Sequence, residues 1–121
     1  MKRDEVLFLD DILENIDDIE TFSKGLTKEE LFANTLKLKA IERCLEIIGE
    51  AVKNVSLKTK DQYPEVEWKK IGGTRDIFIH AYFKIDGDIV WRVIKERLPI
   101  LKKQIQQIKN EGEDESISTA P

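Results

Sequence analysis

The sequence predicts an all-α protein, an up-and-down antiparallel helical bundle. Apolar residues recur at spacings of three and four along most of the chain, capping signals divide the periodic stretches with short connections, and no stretch alternates as a half-buried strand would. At 121 residues the chain has the length of one domain, enough to bury a core without disulfides or metals. Charged residues make up 36% and hydrophobic residues 40%, a balance that favours folding over disorder.

The first helix is expected over Asp4 to Phe22, where Val6, Leu9, Ile12, Leu13, Ile16 and Ile19 form one stripe and acids cover the other side. It stops at Ser23-Lys24-Gly25, where glycine can adopt the left-handed cap conformation. Thr27-Lys28-Glu29-Glu30 fits a capping box, in which hydroxyl and carboxylate each satisfy an orphaned backbone donor. A second helix should therefore start at Thr27. Its seam of Leu31, Leu38, Ile41, Leu45, Ile48, Val52 and Val55 runs for about seven turns, a length that calls for antiparallel partners.

Ser56 to Pro64 breaks the pattern and reads as a loop. A third helical segment is expected over Glu65 to Lys84, interrupted at Gly72-Gly73, and Asp86-Gly87-Asp88 marks a turn with an N-cap. The fourth helix follows from Ile89 to Lys109 on Val90, Val93, Ile94, Leu98, Leu101, Ile105 and Ile108. Pro99, lacking an amide donor, predicts a kink in it. Residues 1–109 then form one helical domain, and residues 110–121, polar and acidic, are expected to be a disordered tail.

Composition narrows the function classes. The single cysteine, Cys44, has no intramolecular disulfide partner, and no paired Cys/His spacing suggests zinc. It reads as a core filler in a reducing compartment. The N-terminal MKRDEVLFLDD lacks the apolar run of a signal peptide, and no segment approaches a membrane span. A cytoplasmic protein is the expectation. With 20 basic and 24 acidic residues the net charge is −4, so any contact with nucleic acid must be local or assisted by a partner.

The chemistry gathers in RDIFIHAYF, Arg75 to Phe83, which holds the one histidine of the chain. At about 100° per residue, Trp68, Ile71, Phe78, Ile79 and Tyr82 share a stripe with Arg75 in its middle. A guanidinium among apolar neighbours needs an anionic partner. Two readings stay open: Glu42 of the second helix pairs with Arg75 and fixes helix register, or Arg75 borders a pocket that takes an anionic ligand. His80 lies about 140° around the wheel from Arg75, one turn after Asp76. The Asp76 carboxylate could orient the imidazole and raise its pKa, suiting proton transfer near neutral pH. Tyr82 adds a hydroxyl beside Arg75, or is a core aromatic. One helix can hardly aim both Arg75 and His80 at one atom, whereas a twofold dimer would bring together both copies.

Arg75, four residues, His80, one residue and Tyr82 reproduce the R-x-x-x-x-H-x-Y motif, and the chain resembles HepT-like HEPN-domain proteins. The blocks ERCLEIIGEAVKNV, YPEVEWKKIGGTRD, IHAYFKID and VWRVIKERLPILKKQI resemble segments of that family in order and spacing, over about Asp4 to Ile108. Asp76 stands where many relatives carry asparagine. The resemblance implies a four- or five-helix bundle, and a homodimer with the motif in a cleft between protomers. It also implies membership of a toxin–antitoxin pair, a metal-independent ribonuclease activity on RNA and no cofactor. Arg75, His80 and Asp76 would then be catalytic, with Tyr82 contacting RNA and accepting AMP from an MNT-type nucleotidyltransferase antitoxin. Two alternatives stand beside it: a non-catalytic nucleotide- or partner-binding subunit of such a nucleotidyltransferase, and a plain dimeric scaffold.

Overall fold

A computed structural model describes residues 1–73 and 87–118, with side chains through residue 112. The regular elements among the described residues are all helices, with no strand, as the periodicity predicted. Helix α1 spans Arg3–Ser23 and presents Leu9, Ile12, Ile16 and Ile19 to the core, each fully buried. Gly25 ends the turn after it at φ 75°, the left-handed conformation expected of a glycine there.

The expected seven-turn second helix is two helices. Helix α2 spans Lys28–Phe32 and opens with the predicted capping box, Thr27 and Glu30 each accepting a backbone N–H of the other. Helix α3 then spans Thr35–Asn54. Asn34 makes the break: at φ −104° and ψ 91° it leaves helical geometry, and its side-chain oxygen accepts the Lys37 N–H at 3.0 Å. The new cap satisfies a donor that the break exposes. The seam survives the interruption, since Leu31, Leu38, Ile41, Leu45, Ile48, Val52 and Val55 are all buried.

The stretch expected to be a loop after Ser56 contains another helix, α4, Leu57–Gln62. Ser56 caps it by accepting the Thr59 N–H, so this serine opens a helix rather than a loop. The third segment starts later than expected, with α5 at Trp68–Gly72. Upstream, Val66 is drawn into the core and its N–H turns back to the Tyr63 carbonyl, which also accepts the Trp68 indole N–H at 3.0 Å. A helix from Glu65 would sacrifice that turn.

After the segment 74–86 the chain re-enters at α6, Gly87–Arg92, continues through a π-helical turn, Val93–Arg97, and becomes α7, Leu98–Ser118. The π turn is the local answer to Pro99. Proline offers no N–H and its ring crowds the carbonyl four residues back, so the helix widens and the Leu98 N–H reaches the Val93 carbonyl instead. Helix also continues past Asn110, where a disordered tail was expected. Glu111 anchors this extension by accepting the Tyr63 hydroxyl and the Gln107 amide, which hold its carboxyl below the usual range.

Ion pairs and hydrogen bonds define the topology. Asp10 of α1 pairs with Lys109 of α7 at 2.6 Å, whereas Asp17 and Glu20, further along α1, pair with Lys102, earlier in α7. The two helices therefore run antiparallel. Glu5, near the start of α1, accepts the Ser56 N–H at 2.9 Å and its hydroxyl at 2.8 Å, so α3 ends where α1 begins and also runs antiparallel to it. Helices α3 and α7 thus point the same way, and the chain between Ser56 and Gly87 returns from one end of the bundle to the other.

Ile16 lies in the middle of this core at zero exposure. Ile16→Ala should cost about 2–5 kcal/mol of folding stability, read as a lower urea midpoint at unchanged slope. A loss below about 1 kcal/mol would mean that α1 is not clamped as described. Glu5 supplies a pH test. Partial burial raises its pKa, but the hydrogen bonds from Ser56 outweigh this and hold it below the ordinary 4.5. Its stabilisation is therefore complete above 4.5 and lost as pH falls through the lower folded value. The stability gap between wild type and Glu5→Gln should close on acidification below 4.5; a gap that stays constant would remove Glu5 from the acid transition.

Candidate functional site

Arg75, Asp76, His80 and Tyr82 all lie in residues 74–86, outside the described residues, as do the expected pairings of Arg75 with Glu42 and of Asp76 with His80. The described residues form the frame that carries this segment. Upstream is α5, held by Trp68, 9% exposed, and by Ile71, half-buried against the core. Both belong to the apolar stripe predicted to contain Arg75. Downstream is α6, held by buried Val90 and tied to α2 by an ion pair between Asp88 and Lys28.

Beside the frame, α3, α5 and the rod formed by α6, the π turn and α7 line a groove of about 470 Å³. Leu45, Ile48 and Leu101 make its buried floor. Lys70, Arg92 and Arg97 stand at its edge with Glu67 among them, which contacts Lys70 at 3.5 Å and Arg97 at 3.2 Å. Arg92 lies 3.8 Å from Glu96. Exposed pairs of this kind contribute only about 0–1 kcal/mol, so such cations can exchange their carboxylate for a phosphate oxygen at little cost. Lys95 lies 4.8 Å over the Trp91 ring.

The net charge of −4 over the whole chain hides these flanking cations. A signal was present: Trp68-Lys69-Lys70 precedes the motif and Trp91-Arg92 follows it, with Lys95 and Arg97 close behind. Cations therefore bracket the motif in the sequence, interleaved with Glu65, Glu67, Asp86, Asp88 and Glu96.

Cys44 matches its expected role. It is 6% exposed in the core, and burial first, then Asp18, push its thiol pKa up against a smaller opposing effect of Arg43. A thiol so placed is a poor nucleophile. Among the described residues no group of three or more His, Cys, Asp or Glu could hold a metal ion, and no helix is long and apolar enough to cross a membrane.

A family model described as ribonuclease HepT-like matches residues 12–108. The chain belongs to the HepT-like ribonuclease family. Among its relatives, "Putative RNase MJ1216" of Methanocaldococcus jannaschii is 43% identical over 117 residues, covering 95% of this chain and 97% of the relative. "Putative RNase MJ0125" of the same organism is 41% identical, covering 93% of this chain and 97% of the relative. "Probable ribonuclease HepT" of Thermococcus cleftensis is 38% identical, covering 90% of this chain and 99% of the relative. No solved structure matches significantly.

Proposed function

We propose that the protein is the toxin of a toxin–antitoxin pair, a metal-independent endoribonuclease that cuts RNA in a composite cleft of a homodimer. The observation that carries this reading is the ordered triplet Arg75, His80 and Tyr82 within a chain whose residues 12–108 match the HepT-like family. The names of its relatives, which specify ribonucleases, support it. So do the cations on either side of the motif in the sequence, which offer a phosphate backbone local contacts.

In this reading His80 takes the proton of a ribose 2′-OH. The 2′ oxygen forms a bond to phosphorus, the bond from phosphorus to the 5′ oxygen breaks, and the partner subunit's His80 protonates the leaving oxygen. The products are a 2′,3′-cyclic phosphate and a free 5′-hydroxyl. Arg75 stabilises the charge that grows on the phosphorane oxygens, where a guanidinium fork fits two of them. Asp76 orients the imidazole and Tyr82 contacts the RNA. An MNT-type nucleotidyltransferase antitoxin would neutralise the toxin by transferring AMP to Tyr82, adding bulk and negative charge where the RNA phosphate should sit.

The net charge of −4 favours a second reading, a subunit that holds a nucleotide or docks the nucleotidyltransferase and cuts nothing. Cleavage in EDTA separates the two. The wild-type protein should cut RNA there, and His80→Ala or Arg75→Ala should lower kcat by about 100-fold or more. RNA left intact by the wild type would favour the binding subunit.

The antitoxin link has its own measurement. Co-expression with a nucleotidyltransferase encoded beside this gene should add about 329 Da per adenylyl group, abolished by Tyr82→Phe. An unchanged mass, or a modification that survives Tyr82→Phe, would remove Tyr82 from the proposal.

A further inference from the structure

The net charge of −4 is unevenly spread. Helix α1 carries eight acidic residues against one basic, whereas residues 87–110, the rod of α6, the π turn and α7, carry six basic against two acidic. Two of those six are engaged with α1: Lys102 meets Asp17 and Glu20, and Lys109 meets Asp10. The other four, Arg92, Lys95, Arg97 and Lys103, are exposed, while Val90, Ile94, Leu98 and Leu101 of the same rod are buried. An acidic protein thus keeps a cationic strip along the outside of one helical rod.

The strip is lightly neutralised. Arg92 lies 3.8 Å from Glu96 and Arg97 lies 3.2 Å from Glu67, exposed pairs that exchange partners at little cost. Lys95 and Lys103 pair with no carboxylate among the described residues. Lys95 shares a shallow pocket with Asp17 and Glu20, but Lys102 has already taken both. Its ammonium lies instead over the Trp91 ring, 4.8 Å from the centroid. Trp91 is half-buried, so part of the indole packs on the core and the rest meets solvent.

A row of cations alone would suit any polyanion, an acidic protein included. The half-exposed indole favours nucleic acid, because every base has a π face to stack on it and the ammonium can leave the ring for the neighbouring phosphate. It favours a single strand, whose unstacked bases are open to an aromatic side chain. Lys95 follows Trp91 by one turn, and Lys103 lies eight residues further, roughly 12 Å along the rod. A strand following these groups runs along the helix axis.

We propose that the outer face of this rod binds single-stranded RNA, with Trp91 as a stacking platform and Arg92, Lys95 and Lys103 as phosphate contacts. This rests on the reading of the protein as a ribonuclease, and it gives a net-acidic protein a place to hold a polyanion.

A 2′-O-methyl oligouridylate tests binding apart from cleavage, since it lacks the 2′-OH nucleophile. In EDTA the wild-type protein should bind it with quenching of tryptophan fluorescence. Trp91→Leu should weaken binding by about 5- to 150-fold and abolish the quenching, whereas Trp91→Phe should keep most of the affinity. Lys95→Gln and Lys103→Gln should each weaken binding and lower the slope of log affinity against log salt by about 0.7, the loss of one phosphate contact to a single strand. Lys39→Gln removes the same charge from an exposed site on α3 and should change neither.

Equal losses in Lys39→Gln and Lys95→Gln would reduce the binding to general charge attraction and overturn the proposal, as would quenching that survives Trp91→Leu. A wild type that binds no oligonucleotide even at low salt would overturn it too, and leave the strip to an acidic protein. The expected variant effects in a protein that cuts no RNA would support the binding surface and overturn the ribonuclease reading.

Discussion

The packing of α1 against α3 is the contact on which the other elements rely. Leu9, Ile12, Ile16 and Ile19 from one helix, and Leu38, Ile41, Leu45 and Ile48 from the other, are buried to within a few per cent of complete exclusion from water. Each such side chain contributes about 1.5–3 kcal/mol of transfer free energy. Helix α7 then lays Leu101, Ile105 and Ile108 on this pair. Its direction follows from Lys102 and Lys109 meeting Asp17, Glu20 and Asp10 across the edge.

That arrangement decides which part of the chain must return along the bundle. With α3 and α7 running the same way, the return leg between Ser56 and Gly87 is obligatory, and it contains the motif. The leg is secured by small devices at its ends: a capping serine held by Glu5, an indole bonded to the Tyr63 carbonyl, a glycine seat on α3 and a phenylalanine on α2. None of these is a large energetic term, yet each ties a described end of the leg to the bundle.

Much of this was legible in the residues. The stripe of α1, the Thr27 capping box, the Gly25 turn and the seam from Leu31 to Val55 were all readable, because periodicity and capping are local physics expressed within a few residues. Several boundaries fall elsewhere than the periodicity predicts. Asn34 and Ser56 are good N-caps that sat inside stretches judged by their apolar pattern, and Val66 starts a turn because the core draws it in. The motif residues were legible only through family resemblance, since the wheel alone left Arg75 between a structural ion pair and a phosphate site.

By itself the sequence determined the helical class, the buried face of every long helix, the caps that begin and end several of them, and the ordered triplet of Arg75, His80 and Tyr82. Those properties depend on residues within a turn or two of each other. Only the tertiary structure decided that the second helix breaks at Asn34, that Pro99 is absorbed by a π turn just before it, and that Gly49 packs closely on the Gly72 backbone. The reason is distance along the chain. Gly49 meets Gly72, Phe32 meets Gly87, and Glu5 meets Ser56, and such contacts exist only once packing has brought distant segments together.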